Sequence, residues 1–296
     1  MSDAIEIEGW NNYRLDEIGV IYSGATPSTT NLSFWDGSIV WITPSDLSDL
    51  STAYLFDSKK KITEKGLEAC SAHYLPANSI TLSSRAPIGY VAIPQTGFCT
   101  NQGCKSILLD NGFDPEFVYH NLCFNIDKLK RLGEGTTFAE ISKTALATVS
   151  LSFPAEKDEQ TQIATILSTI DRAIEQTETI IAKQQRIKTG LMQDLLTCGI
   201  DEQGNVRSEA THEFKDSPLG RIPVEWDISS IGNEFVVQLG KMLSKKALDG
   251  ELFDYLGNRS VQWDFIDTSS LPKMHFSDSE RRKFSLEYGD VLICEG

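Results

Sequence analysis

The sequence predicts an α+β chain: a mixed α/β globular module, a long helix of coiled-coil type, and then the start of a second, similar module. Three observations predict it. Short apolar runs separated by Gly and Pro turns fill the first part of the chain. After Pro154 an apolar rhythm of fours and threes runs for roughly forty residues. A pattern near the N-terminus then recurs beyond that run.

Composition bounds the function classes. With 296 residues the chain is long enough for about two domains, each with its own core. No uncharged apolar run is long enough to span a bilayer, so no membrane role is expected. The stretch from Asp3 to Glu8 is acidic, with no apolar segment behind it, where a secretory signal would be basic. A cytoplasmic protein is the expectation. Six cysteines (Cys70, Cys99, Cys104, Cys123, Cys198 and Cys294) form no C-x-x-C pair, and the four histidines show no H-x-x-x-H spacing. A disulfide framework and a zinc site are therefore not expected. The net charge of −15 weighs against nucleic-acid binding, because phosphate contacts need Lys and Arg. A nucleic-acid binder of this composition must gather its cations on one face or borrow charge from a partner.

The first module is read over residues 1–153. Ile80-Thr81-Leu82, Tyr90-Val91-Ala92-Ile93 and Lys105-Ser106-Ile107-Leu108-Leu109 predict short strands. Asp114-Pro115-Glu116 predicts a helix start, and Gly133 an end for that helix. The long helix is read within 154–199. Acids from Glu156 to Glu159 suit its positive N-terminal end, and Gly199 supplies a stop. Apolar residues recur at Ile163, Leu167, Ile170, Ile174 and Ile181, then, beyond a polar Gln184, at Ile187, Leu191 and Leu195. From Asp158 to Thr197 such a helix would be roughly 60 Å long, which suits a spacer or a partner-binding element better than a helix folded back on its own domain.

Residues 200–225, punctuated by Gly204, Pro218, Gly220 and Pro223, read as a linker. The second module is read over 226–296. Trp226 and Gly240 repeat the separation of Trp10 and Gly24, and the run from Leu286 to Glu295 repeats the pattern of Leu75 to Ser84. In this register Gly296 falls at about Arg85 of the first copy. A second module lacking its later half, and a truncated chain, are the expectation.

The segments Leu82-Ser83-Ser84-Arg85-Ala86-Pro87-Ile88-Gly89-Tyr90 and Thr100-Asn101-Gln102-Gly103-Cys104-Lys105 carry a further likeness. So do Phe153-Pro154, Glu159-Gln160 and Ile163-Ala164 at the helix start, and Gly190-Leu191-Met192-Gln193-Asp194-Leu195-Leu196 at its end. Leu219-Gly220-Arg221-Ile222-Pro223-Val224-Glu225-Trp226 leads into the second module. In this combination, which covers nearly the whole chain, the sequence resembles the specificity subunit of type I restriction–modification enzymes. The resemblance implies a target recognition domain in each module, reading one half of a split site in double-stranded DNA. It also implies that the conserved helices of the two halves pack antiparallel, fix the half-site spacing and hold methyltransferase and restriction subunits. Cofactor and chemistry would then lie in partners: S-adenosylmethionine in the methyltransferase, none in this chain. With the second helix missing, two copies packing antiparallel through Ile163, Leu167, Ile170, Ile174, Ile181, Ile187, Leu191 and Leu195 would cover the seam. The alternative is that the linker and second module fold back over it.

Within the first module each candidate DNA contact has two readings. Arg85 suits bidentate guanine recognition, with Ser83 and Ser84 on phosphate, or is an ordinary surface arginine. Asn101 and Gln102 suit adenine edges with Lys105 on phosphate, or a turn before a strand. Lys59, Lys60 and Lys61 grip the backbone or form a solvated face. Thr26 and Ser28, in Gly24-Ala25-Thr26-Pro27-Ser28, present hydroxyls to phosphate or turn the chain. Trp35, Trp41 and Tyr54 read as core rather than base-stacking groups.

Catalytic readings fare worse. Gly133-Glu134-Gly135-Thr136-Thr137 lacks the Gly-Lys-Ser/Thr of a phosphate loop. Asp46 with Asp57-Ser58-Lys59 fits a metal-dependent nuclease only by permissive spacing. No glycine fingerprint for S-adenosylmethionine and no catalytic motif of an amino-methyltransferase is found. The non-enzymatic alternative, favoured by the acidic balance, is a coiled-coil adaptor whose globular ends bind protein.

Overall fold

The computed structural model describes residues 8–133, 140–242, 250–263 and 265–294. The chain divides into two compact units, Met1–Met192 and Gln193–Gly296, so the division falls within the long helix rather than at either end of it.

Unit 1 runs β1 (Trp10–Arg14), β2 (Gly19–Ser23), β3 (Trp35–Ile42), α1 (Pro44–Ser48), β4 (Tyr54–Leu55), β5 (Lys61–Ile62) and α2 (Glu64–Glu68). It continues with β6 (Ile80–Ser83), β7 (Val91–Pro94), β8 (Phe98–Thr100), β9 (Cys104–Leu109), α3 (Pro115–Phe124), α4 (Ile126–Leu132), α5 (Lys143–Ala147), β10 (Ser150–Pro154) and most of α6 (Lys157–Cys198). The three strands expected from sequence are β6, β7 and β9, each within one residue or so of its expected start.

A five-stranded sheet has the order β2-β9-β6-β7-β4, and a three-stranded sheet the order β5-β3-β8. In the first, β9 pairs antiparallel with both β2 and β6. In the second, β8 runs parallel to β3, with Val40 opposite Phe98. β6, β7 and β8 are buried at every residue, as strands covered on both faces must be, and the residues that are not apolar, Thr81, Ser83 and Thr100, carry small hydroxyls. The buried Thr81 hydroxyl of β6 accepts from the Ser106 hydroxyl of the neighbouring β9 at 3.1 Å. Ile80, Leu82, Ile107 and Phe153 form the main core, with a second cluster around Ile42 and Phe98.

β1 and β10 pair antiparallel, Trp10 opposite Pro154, so both ends of the module meet where α6 departs. The helix expected from Pro115 to Gly133 is two helices. Asp114 caps the first, accepting from the Glu116 and Phe117 amides at 3.0 Å each. Asn125 ends it by turning its side-chain amide onto the Asn121 carbonyl at 2.9 Å, and Gly133 caps the second as expected.

α6 is one continuous 42-residue helix, about 63 Å long at 1.5 Å per residue. Gly199 follows it with a φ of +67°, the left-handed turn that favours glycine after a helix. Among the described residues no helix is long and apolar enough to cross a membrane.

Unit 2 holds the end of α6, then β11 (Phe214–Ser217), β12 (Gly220–Pro223), α7 (Ile231–Glu234), β13 (Glu251–Asp254), β14 (Lys273–Phe276) and α8 (Asp278–Phe284). The segment expected as a linker therefore contains a hairpin, β11 against β12, with Ser217 opposite Gly220. Gly220 takes a φ of +102°, and Pro218-Leu219 supplies the tip, so its punctuating residues make a turn between strands. The start of a second module is present, but its repeat of the first is in sequence more than in elements. Val236 and Leu239, the counterparts of β2, are exposed and unpaired, and Leu286–Cys294 forms no strand (Glu295 lies outside the described residues). In unit 1, by contrast, both β2 and β6 pair with β9.

Candidate nucleic-acid interface

The turn between β8 and β9, Asn101-Gln102-Gly103, gathers three of the segments singled out from sequence. Asn101 closes the turn itself: its Oδ1 accepts from the Gly103 amide at 2.9 Å, and its own amide donates to Ile42 O at 2.9 Å. That is the turn reading of Asn101. On one side lies the loop after β2, where the Ala25 amide donates to Thr100 O at 2.9 Å and the Thr26 hydroxyl donates to Gln102 Oε1. A Cβ at Gly24 would stand 2.0 Å from Asn101 O, so only glycine allows this approach. Gln102 is exposed beside Thr26. On the other side lies the loop after β6, where the Ser84 and Arg85 amides both donate to Gly103 O, at 2.8 and 3.3 Å.

Around Arg85 the structure corrects three sequence expectations. Ser83, Ser84 and Lys105 are buried and spent on internal hydrogen bonds, so they are not presented to phosphate. The Ser83 hydroxyl donates to Pro87 O at 2.8 Å and accepts from the Gly89 and Tyr90 amides at 3.0 Å, shaping the loop from Ser84 to Tyr90. The Ser84 hydroxyl donates to Gly103 O at 3.1 Å and accepts from Lys105 Nζ at 3.2 Å. Lys105 is drawn inward because β9 is central in its sheet, and Glu140 supplies its counter-charge at 3.5 Å. Arg85 alone of this group reaches solvent. Its side chain is 46% exposed, and its Nε donates to Glu140 Oε2 at 3.0 Å. An apolar hollow of about 380 Å³, lined by Ala86, Pro87, Ile88, Gly89, Tyr90 and Lys130, opens next along the loop. Glu140 was not foreseen from sequence, since nothing in Phe138-Ala139-Glu140-Ile141 marks it.

The lysine run does not act as one patch. Lys59 is paired with Asp49, and Lys61 Nζ lies 3.0 Å from Asp57. Each lysine holds its partner carboxyl below the ordinary range through that hydrogen bond. Lys60 instead lies over the Trp35 ring at 5.8 Å, and Trp35 Nε1 donates to Ser28 O at 3.1 Å. Lys60 and Ser28 are thus joined through Trp35, on the same loop that carries Thr26. The Trp35 ring meets Trp41 edge-on at 5.0 Å, and Trp41 is core as expected. Tyr54 is half-buried, its hydroxyl donating to Glu116 at 2.5 Å; burial and that carboxylate push its pKa up to about 12. The nuclease pattern fails on Asp46. One of its oxygens accepts from the Thr43 amide and hydroxyl, at 2.8 and 2.5 Å, and the other from the Lys59 amide at 2.9 Å. Glu134–Thr137 of the rejected phosphate loop lie outside the described residues.

α6 docks on unit 1 through its first turns. Gln160, 1% exposed, accepts from the Asp114 amide at 3.0 Å and donates to Pro154 O at 3.1 Å. Ser168 donates to Glu116 Oε2 at 2.7 Å and meets His120 Nε2 at 3.2 Å. Ile163 packs on the main core together with Ala164, so it belongs to this joint and not to the free face of the helix. From Leu167 onward the face is open: Leu167, Ile170, Ile174, Ile181, Ile187, Leu191 and Leu195 are all exposed, and so are Ile166 and Ile180.

Comparison with known proteins assigns this architecture. A family model described as the type I restriction modification DNA specificity domain matches residues 7–184. The chain is 33% identical over 233 residues to the type I restriction enzyme MjaIX specificity subunit of Methanocaldococcus jannaschii, which takes in 78% of this chain and 52% of that protein. It is 29% identical over 167 residues to the EcoR124I/EcoR124II specificity subunit of Escherichia coli, covering 53% of this chain and 40% of that one. The chain thus spans about half the length of the curated relatives it matches. Among solved structures, a chain from work on the assembly and conformational transition of the type I R-M system shares the fold. Its TM-score is 0.52 at 21% identity, over 66% of this chain and 46% of that one. With more than half its length under the family model, this chain belongs to the type I restriction–modification DNA specificity family.

Proposed function

We propose that the chain is a DNA sequence-recognition subunit that selects one half of a bipartite duplex site and performs no chemistry. The observation that carries this reading is the convergence at the Asn101–Gly103 turn. Two exposed side chains stand there, Gln102 in the turn itself and Arg85 on the loop whose amides donate to Gly103 O. Both types read base edges, arginine on guanine and glutamine on adenine. Lys60 and Ser28 extend the surface with groups suited to phosphate. A half-site reader on a stiff helix fixes its distance from a second reader, as dimer geometry fixes half-site spacing elsewhere. Methyl transfer and cleavage belong in this reading to partner subunits in the cytoplasm, with S-adenosylmethionine bound by the methyltransferase.

The test is binding of duplex DNA by the full chain in the presence of its methyltransferase. Arg85→Ala and Gln102→Ala should each weaken specific binding by about 1–3 kcal/mol and relax the sequence preference. Unchanged affinity and preference in both would remove them from the interface. Purified chain given S-adenosylmethionine and DNA should yield no methylated base; activity that persists after removal of every trace of partner would refute the non-catalytic reading.

The open face of α6 supports a finer reading. No second long helix stands among the described residues to cover it. Two copies packing antiparallel would bury both faces and set a reader at each end. Sedimentation over a wide concentration range tests this; a species that stays monomeric at the highest concentration refutes it.

A further inference from the structure

Arg85, Glu140 and Lys105 form a short ladder of charges whose order matters. Arg85 Nε donates to one Glu140 oxygen at 3.0 Å, and Lys105 Nζ lies 3.5 Å from the other. Arg85 is half-exposed, whereas Lys105 is only 4% exposed and is held from below by the Ser84 hydroxyl at 3.2 Å. An arginine paired with one carboxylate is neutral as a unit and attracts no phosphate. Here the carboxylate is already matched by a cation beneath it, so the three groups together carry one positive charge. That charge is carried outward by the guanidinium. The carboxylate takes Nε, and that bond fixes the plane of the half-exposed guanidinium. A planar donor needs this kind of constraint to meet a base or phosphate bidentately.

We propose that Lys105 and Glu140 are positioning residues for DNA recognition: Glu140 orients Arg85, and the buried Lys105 neutralises Glu140 so that the orientation does not cancel the charge. This rests on the reading that the loop around Arg85 faces DNA. Neither residue touches the nucleic acid, Lys105 because it is buried and Glu140 because phosphate repels it. In a chain of net charge −15, local arrangements of this kind are how a positive contact is made without surplus cations.

The experiment uses the full chain together with its methyltransferase and a mixed-sequence duplex of about 30 base pairs, followed by anisotropy across a salt series, and a randomised duplex pool sequenced after selection. Lys105→Met should bind the mixed duplex as weakly as Arg85→Ala, with the log–log salt slope shallower by about 0.9, the share of one phosphate contact. Glu140→Gln should do the opposite on the mixed duplex, binding it at least as well as the unsubstituted chain, while its selected sequences lose the preference that Arg85→Ala also loses. Combining Lys105→Met with Glu140→Gln returns the net charge to one and should recover the slope but not the preference. A purely structural pair would lose affinity in both single variants with no such split. Wild-type slope and affinity in a folded Lys105→Met overturn the proposal. If that variant does not fold, unchanged sequence preference in Glu140→Gln overturns it instead. Failure of the unsubstituted chain to bind the duplex would sink the DNA reading itself, and shows before any variant is compared.

Discussion

Replacing Gln160 by Leu should loosen the joint between the module and its helix. Leucine is close in volume and keeps helix propensity, so the change isolates the amide. Gln160 is 1% exposed, and its two good hydrogen bonds go to the Asp114 amide at 3.0 Å and Pro154 O at 3.1 Å; a longer one reaches Gly112 O at 3.4 Å. Asp114 is the N-cap of α3, and Pro154 ends β10, so one side chain ties three elements. Leaving a buried donor or acceptor unpaired costs about 1–3 kcal/mol. Two such losses, less the gain from an apolar side chain in the same space, amount to roughly 2–4 kcal/mol. Amide hydrogen exchange is the assay, because the chain has two units and one global midpoint would mix them. Protection should fall about 30- to 1000-fold at the start of α3 and in the first three turns of α6, with the five-stranded sheet affected less. A change below threefold at those amides would refute the reasoning, and would mean the joint is held by Ile163 and Ala164 packing with the Ser168 and Thr161 hydrogen bonds.

The same joint should respond to acid through His120, whose pKa burial lowers from 6.5 against the opposing pull of Asp171, Glu116 and Asp114. A lowered folded pKa contributes stability that is complete above about 6.5 and lost as pH falls toward the folded value. Protection in α3 and early α6, taken relative to the intrinsic exchange rate at each pH, should therefore fall as pH is lowered below about 6.5, and His120→Asn should flatten that dependence; an unchanged profile in the variant counts against it. Asp46→Ala should cost about 1–2 kcal/mol of local stability through the lost capping box with Thr43, read as lowered amide protection over Thr43–Ser48, and leave DNA binding and the absence of cleavage as they were; altered cleavage with unaltered protection would revive the nuclease pattern. Ile170→Asp with Ile174→Asp should abolish any concentration-dependent self-association in sedimentation; persistence of the larger species would show that the face is not the contact.

Periodicity carried the long helix and the strands because both are written in local spacing. Lys157–Cys198 departs from the expected Asp158–Thr197 by one residue at each end, and β6, β7 and β9 stand where apolar runs met Gly and Pro. What spacing does not encode is which side of an element faces inward. Cys104, Lys105 and Ser106 are all buried on β9, so the alternation that would mark Lys105 as outward is absent. Ser83 and Ser84 were misjudged for the same reason: polar residues beside Arg85 look solvent-facing until the Gly103 carbonyl and the loop amides are seen to claim their hydroxyls. Glu140 became visible only when the chain returned beside Arg85 after 55 residues. The hairpin within residues 200–225 was hidden by composition, since Gly and Pro mark a tight turn between strands as readily as an open linker.

The long helix shows how far pattern alone can be pushed. Counted in sevens, its apolar surface has three columns rather than the two of a simple seam. Leu167, Ile174, Ile181 and Leu195 share one with Lys188; Ile170 and Leu191 share the next with Thr177 and Gln184; Ile166, Ala173, Ile180 and Ile187 form the third. Ile187, read from sequence as part of the seam, belongs to that third column. A two-stranded coiled coil covers two columns, so a single partner helix leaves the third, with Ile166 at 65% exposure, still open. Gln184 and Lys188 further restrict what can pair. In a self-complementary antiparallel pair the residues of one column face those of the next, so at near-complete overlap the centre falls between Ile181 and Gln184, and Gln184 lies across from Ile181. Sliding the pair until the polar layer faces itself removes that mismatch but gives up the overlap N-terminal to about Thr177. A second helix of different sequence, with a polar residue where Ile181 stands, meets neither penalty. Self-pairing of this face is thus intrinsically weaker than pairing with a dissimilar helix, and its dissociation constant measures how much the polar layer costs.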